Sequence, residues 1–292
     1  MPDFGGSPFW PASLALNSAF LFALGAQFSR LGLRTMPPAA GTTVEIATSA
    51  GLYWLFAPFF IEAHYWLAPV VLLFAAVGLI RPYLSARLAM AGTKLLGPTV
   101  TSTLAGTSPL FGVTMGVLVL GENLSPALLA GTVGIVTGVM LLSWQGNGRR
   151  DWPLWALLLP IGAAFIRALA NLFAKLGMES LASPFFVGLV GYTVSTVVAL
   201  TLTGGARNPD MLRNPGCKWF MLTGAVYALS VLSLNTALSA GTLVVVTPIV
   251  ACSPVFALLL GLAVFREEAL NRRVILTVGL VVPSVVLITI AG

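Results

Sequence analysis

Charge is the scarcest property of this sequence. Only 8% of its 292 residues are Asp, Glu, Lys or Arg, whereas soluble domains carry roughly 25%. A chain so poor in charge cannot cover a water-facing surface, and 58% of its residues are hydrophobic. Those two figures exclude an ordinary soluble protein and make lipid the natural solvent. Cysteine is as sparse. Cys217 and Cys252 are the two present, and they suggest neither a disulfide framework nor a metal cluster. The one histidine, His64, has no second His or Cys nearby, so no metal site is expected. The sequence contains no G-x-x-x-x-G-K-[ST], no G-x-S-x-G and no H-E-x-x-H. An ATP motor within the chain and the usual hydrolase sites are thereby excluded. No cofactor is expected, and the chain does not read as an enzyme. Long polar connections are missing too, which leaves no room for a soluble catalytic domain. No Lys or Arg precedes the first apolar run, so a cleaved signal peptide is not expected.

What remains is a series of apolar runs. A spanning helix needs about 20 mostly apolar residues. Runs of that kind fall at 12–34, 38–59, 66–90, 95–119, 124–144, 152–177, 182–203, 217–239, 241–264 and 271–291. Turn chemistry or charge separates them, as at Met36-Pro37-Pro38, Glu62-Ala63-His64 and Gly204-Gly205. The expected fold is an all-α membrane protein of ten transmembrane helices. Open sheet would leave backbone groups unpaired in lipid, and no alternating ten-residue pattern suggests a barrel. Ser239-Ala240-Gly241 is so short a connection that the eighth and ninth helices must be antiparallel neighbours. The net charge of +6 sits mostly in the connections, where it sets membrane orientation; nucleic acid is not an expected partner.

The sequence repeats itself. Ser108-Pro109-Leu110-Phe111 matches Ser253-Pro254-Val255-Phe256 at a shift of 254 − 109 = 145 residues. The same shift places Glu122 on Glu267, Gly116 on Gly261, and Thr132-Val133-Gly134 on Thr277-Val278-Gly279. It also places Phe28, Leu31 and Gly32 on Phe173, Leu176 and Gly177, and Arg30 on Lys175. One ungapped shift implies duplication, with halves at 1–146 and 147–292. Five spans per half is an odd number, so the second copy enters the membrane in the opposite direction. Inverted repeats are a common basis of alternating access, with substrate held near the midplane between the halves.

The run Gly92-Thr93-Lys94-Leu95-Leu96-Gly97-Pro98-Thr99, then Ser108-Pro109-Leu110-Phe111 and Leu120-Gly121-Glu122, resembles the EamA-type repeat of the drug/metabolite transporter superfamily. In the second half Thr236 to Gly241, Ser253-Pro254 and Arg266-Glu267 are similar. The resemblance covers nearly the whole chain. It implies two five-helix halves around a central cavity lined by the first, third, fourth, sixth, eighth and ninth helices. It further implies export of amino acids or other metabolites, as in family members, or exchange of sugar phosphates or nucleotide sugars, as in relatives.

Family members are usually drawn with both termini in the cytoplasm, and the loop charges point the other way. Connections 1–2, 3–4, 5–6, 7–8 and 9–10, with their flanks, hold twelve basic residues, Arg30, Arg34, Arg87 and Lys94 among them, against Lys175 alone on the opposite face. By the positive-inside rule both termini are periplasmic in a bacterial inner membrane.

Ionisable groups within spans usually face a cavity or a partner. Glu45 lies in the second span, Arg81 in the third and Arg167 in the sixth, with Asn171 one turn beyond Arg167 on the same face. Gln27, Tyr83, Tyr192, Tyr227 and Asn235 add polar groups at depth. Arginine stays charged when buried and its planar fork fits a carboxylate or phosphate. Substrate binding is therefore assigned to Gln27, Arg81, Tyr83, Arg167, Asn171, Tyr227 and Asn235. The alternative role for the arginines is an internal ion pair with Glu45. Glu45 itself is read as a carrier of a coupling proton or as that ion-pair partner. Pro109 and Pro254, mid-span in both copies, are candidate hinges, since proline removes a helix donor. Glu122 and Glu267 each follow a helix end, where capping or loop contacts explain them. The pair Gly134 and Gly138 fits small-residue packing within the bundle.

The expected function is secondary transport, as an exporter of a small metabolite such as an amino acid or organic anion, with a proton or a counter-substrate as the coupling partner. A lipid-linked sugar flippase and a sugar-phosphate or nucleotide-sugar exchanger are the alternative readings.

Overall fold

Proline and glycine set where each helix starts and stops. The computed structural model describes residues 9–143, 153–203, 213–263 and 272–292. Among these, twelve α-helices succeed one another, with no strand: α1 Phe9–Gly32, α2 Pro38–Phe60, α3 Val71–Leu79, α4 Ser85–Ala105, α5 Ser108–Leu120, α6 Pro126–Ser143, α7 Leu158–Ser180, α8 Pro184–Thr203, α9 Cys217–Ala240, α10 Leu243–Val250, α11 Ser253–Ala263 and α12 Arg272–Ala291. Pro38, Pro126 and Pro184 each begin a helix, where a missing N–H costs nothing.

Several expected rods are broken inside. The third contains a π-turn at Ile80–Leu84 in which Arg81 leaves helical geometry (φ −141°, ψ 136°). Pro82 explains the break, because proline drives the preceding residue toward extended backbone. Gly97, with φ 82° and ψ 163°, separates the candidate spans Val71–Gly97 and Val100–Leu120. Such a positive φ is natural only for glycine. The fourth rod breaks again between Ala105 and Ser108, and the ninth between Val250 and Ser253. The two Ser-Pro pairs therefore start new helices after a turn. Within the candidate spans Val100–Leu120 and Leu243–Leu262 the bend thus falls just before each proline, which sits in a first turn where it removes no intrahelical bond.

Seven stretches are long and apolar enough to cross a membrane, and Pro126–Leu141 and Ile275–Ala291 are shorter apolar helices. Helix α2 has 23 residues but carries Thr42, Thr43, Glu45, Thr48 and Ser49. The chain is a multi-pass membrane protein.

Packing follows the repeat. α1 packs on α9, and its counterpart α7 packs on α3 and α4; α1 also packs on α11, and α7 on α5. α2 lies on α9, and α8 on α3. Two contacts join elements that are each other's counterparts, α2 with α8 and α6 with α12; α5 also packs on α10, whose counterpart is the end of α4. Every interface of the first kind thus has its partner under the 145-residue shift.

Small and hydroxylated residues make these contacts, as expected where lipid supplies no hydrophobic drive between helices. Ser18 Oγ donates to Ser230 O at 2.9 Å, and Ser230 Oγ donates back to Ser18 O at 2.8 Å. Ala15 and Ala19 flank this pair and are fully buried. On the other side of α9, Ser49 Oγ donates to Gly224 O at 2.7 Å and Tyr53 Oη to Ala228 O at 2.9 Å. Gly134 faces Ser284 and Gly138 faces Val281, so both lie at the contact between α6 and α12, inside the bundle.

Candidate substrate site

A cavity of about 570 Å³ lies between the two halves, lined by residues of both. From the first half come Glu45 and Arg81, and from the second Arg167, Asn171, Tyr227 and Asn235. Six of the eight residues expected to bind substrate or carry a proton therefore line one space. Glu45, Arg81, Arg167 and Asn171 each keep some accessible surface, and the cavity is where they keep it.

The break at Pro82 positions the first cation. Helix geometry ends at Arg81, which frees carbonyl groups in the membrane interior. Ser195 of α8 answers two of them: its Oγ lies 2.5 Å from Gly78 O and 3.1 Å from Arg81 O. Such repair of broken backbone is what a low-dielectric setting demands. The Arg81 side chain reaches α7, where Nη1 donates to Asn171 Oδ1 at 2.7 Å. Arg167, one turn earlier on α7, donates through Nη2 to Ala105 O at 3.0 Å. That carbonyl is exposed because the fourth rod breaks just after it.

Among the described residues neither arginine is neutralised by a carboxylate. Glu45 forms no ion pair or side-chain hydrogen bond with Arg81 or Arg167 among the described residues. The expected internal ion pair is corrected on this point. An amide holds one guanidinium and a carbonyl the other, and both partners orient a cation without cancelling its charge. Glu45 sits on the stretch of α2 that meets α9, where its backbone carbonyl is pressed against Gly224.

Aromatic and amide groups complete the wall. Tyr192 lines the cavity and stacks on Tyr53 with ring centroids 5.7 Å apart. The Tyr227 ring meets Phe22 edge-on at 5.5 Å. Asn235 Nδ2 donates to Pro184 O at 3.2 Å. Pro254 lines the cavity, while Pro109 is buried outside it.

Two expected site residues stand elsewhere. Gln27 is buried between α1 and α11: its Nε2 donates to Ala257 O at 2.7 Å, and its Oε1 accepts from Arg30 at 3.3 Å. Tyr83 is buried outside the lining, with the Arg87 guanidinium 5.9 Å from its ring centre. Neither lines this cavity: α11 takes up the Gln27 amide, and Tyr83 sits within the π-turn, facing Arg87. The roles of Pro82 and Ser195 were missed from sequence. An Arg-Pro step inside an apolar run was the available signal; Ser195 had none, since its partner carbonyls are 114 or more positions away.

No curated protein matches the chain in sequence. A solved crystal structure of a protein with 16% sequence identity matches 96% of this chain and 96% of its own, with a TM-score of 0.79. At that identity the likeness speaks for the fold. The model of the EamA-like transporter family matches twice, over residues 9–144 and 154–290. With both halves of the chain matched, this protein belongs to the EamA-like transporter family and is a membrane transporter of small molecules.

Proposed function

We propose that the chain is a secondary transporter that exports a small metabolite carrying a carboxylate or phosphate, such as an amino acid or organic anion. The observation behind this reading is the pair of guanidinium groups, Arg81 and Arg167, that line one cavity without a carboxylate partner among the described residues. A cation held by neutral acceptors keeps its capacity to bind an anion in a water-poor site. Arg81 belongs to the first half and Arg167 to the second, so a bound anion would bridge elements that alternating access must move relative to one another.

The proposal includes ten membrane crossings, with halves at 1–146 and 147–292 in opposite orientation. The partner exchange under the 145-residue shift supports it. It also places the protein in a bacterial inner membrane with both termini periplasmic, on the strength of the basic residues in alternate connections. A cytoplasm-active reporter fused after Gly292 is expected to be silent, and a bright one would reverse this orientation.

Ligand-induced thermal stabilisation of the detergent-purified protein tests the substrate class. A ligand at a hundred times its Kd stabilises the folded state by about 2.7 kcal/mol. Among amino acids, organic acids, sugar phosphates and cationic drugs, the anionic or zwitterionic compounds are expected to raise Tm. Arg167→Gln should fold and lose the effect. Hits confined to neutral or cationic compounds would refute the arginine site.

A further inference from the structure

Beyond the cavity, on the side where the α5–α6, α7–α8 and α9–α10 connections lie, a second polar cluster joins the halves. It starts with a helix end. Gly121 closes α5 in left-handed geometry (φ 65°), and the Glu122 N–H donates back to Gly116 O at 3.0 Å. This reversal turns the Glu122 side chain toward the start of α10. There Oε1 accepts the Leu243 N–H at 2.8 Å and Oε2 accepts the Val244 N–H at 2.9 Å. Both carboxylate oxygens of the first half thus cap a helix of the second half, a favoured place for negative charge. A Cβ on Gly116 would lie 2.6 Å from Oε2, so the carboxylate fits only because that position is bare.

Lys175, from the last turns of α7, completes the cluster. Its Nζ lies 3.6 Å from Glu122 Oε1 and donates to Leu238 O and to Gly241 O. Those carbonyls belong to the end of α9 and the link to α10. One carboxylate and one ammonium therefore tie four elements: α5, α7, α9 and α10. The cluster is well enclosed, with side-chain exposures of 8% for Glu122 and 16% for Lys175. Leu238, Leu243 and Val244 around it are buried.

Its position relative to the cavity is the important point. Ala174, Asn235 and Thr247 line the cavity. Lys175 is the next residue after Ala174, Leu238 is one turn beyond Asn235, and Leu243 and Val244 are one turn before Thr247. The cluster is the layer immediately outside the cavity wall on three of its elements.

We propose that Glu122 and Lys175 form a latch that holds the cavity shut at this end, and that must open for the cavity to reach this face of the membrane. The sequence repeat does not carry the same backbone donors to the other end. Under the 145-residue shift the counterpart of Leu243 is Pro98 and that of Val244 is Thr99. Proline has no N–H to donate, so a carboxylate there has one backbone donor fewer. Lys175 corresponds to Arg30, and Glu122 to Glu267, which lies outside the described residues. By sequence, the end that carries Pro98 thus offers one backbone donor fewer than the Glu122 end. The latch rests on the alternating-access reading, but its test needs no transported substrate.

The test uses Ala251→Cys, a cavity-lining position, in a protein whose own Cys217 and Cys252 are replaced by Ser and Ala. A membrane-impermeant maleimide is applied to oriented vesicles from each side in turn. The latched protein is expected to label poorly from the Glu122 face. Glu122→Gln keeps the shape but weakens charge-assisted bonds, and should raise labelling from that face about tenfold. Lys175→Met leaves the helix cap in place and should raise it by less. If Glu122→Gln does not fold, Lys175→Met carries the test. Labelling from the Glu122 face that is already fast in the latched protein, or unchanged in the folded variants, overturns the latch. A null result in ligand stabilisation with faster labelling in the variants would instead overturn the anion site and leave the latch standing.

Discussion

Arg81 Nη1 lies 2.7 Å from Asn171 Oδ1, which ties a cation at the break in the third rod to the middle of α7. The two residues are 90 positions apart and come from opposite halves. An amide oxygen fixes the direction of the guanidinium while leaving its charge for whatever enters the cavity.

Asn171→Leu removes that acceptor and leaves the Arg81 donor facing the cavity. A hydrogen bond to a charged group is worth about 1.5–3 kcal/mol, so Tm of the purified protein should fall by a corresponding amount. In a double-mutant cycle with Arg81→Met, the two losses should add to less than their sum by about 1 kcal/mol or more. Additive losses would mean that the bond holds nothing in place. Anion-induced stabilisation should vanish in Asn171→Leu as well, because Arg81 is no longer aimed.

Ser195→Ala strips the donor from two carbonyls, Gly78 O and Arg81 O. A buried acceptor left unpaired costs about 1–3 kcal/mol, more than the substitution of an exposed serine would. Thermal unfolding of the single variant measures this. The cost should shrink in the background Pro82→Ala, where the restored N–H gives the chain a route back to regular helix. An equal cost in both backgrounds would separate Ser195 from the break.

The broad architecture was legible in the sequence because lipid allows so few solutions: apolar runs of spanning length must be helices. The runs read at 12–34 and 217–239 are the helices at 9–32 and 217–240, and the small-residue spacing of Gly134 and Gly138 marked a helix contact. The repeat was legible because the 145-residue shift needs no gap. The interior breaks were legible only in part: Pro109 and Pro254 marked bends, but hydropathy averaged over a spanning length stays apolar across Arg81-Pro82 and Gly106-Thr107 and reads each run as one rod. The site was legible in part for the same reason. Arg81, Arg167 and Asn171 stand out in any apolar run, but the choice between cavity and interior for Gln27 and Tyr83 depends on helix rotation, which local breaks reset. Glu122 was readable as a cap, whereas the helix it caps belongs to the other half.

Gly224 is where α9 comes closest to α2. A Cβ there would stand 2.4 Å from Glu45 O and 2.9 Å from Thr48 Cβ. The first of these is backbone and cannot turn aside. Gly224→Ala should therefore cost about 1–3 kcal/mol, as overpacking does, and shift Glu45 relative to the arginines. Gly279, where an added Cβ meets nothing within 4 Å, is the control: Gly279→Ala should leave Tm unchanged or slightly raised. Equal effects at both positions would show that the close approach is not needed.

Glu45 lines the same cavity as Arg81 and Arg167 yet pairs with neither. A half-buried carboxyl with neither arginine as partner is suited to hold a proton or to meet a cationic group on the ligand. The two cases separate in proteoliposomes. If a proton is the coupling ion, Glu45→Gln should retain exchange of labelled for unlabelled substrate but lose accumulation driven by a pH gradient. If Glu45 meets a cationic group of a zwitterionic ligand, Glu45→Gln should weaken binding of that ligand by about tenfold or more, the loss of one charge-assisted bond, while a simple organic anion binds as before. Unchanged accumulation together with unchanged binding would remove Glu45 from the mechanism, and leave the two arginines to account for recognition alone.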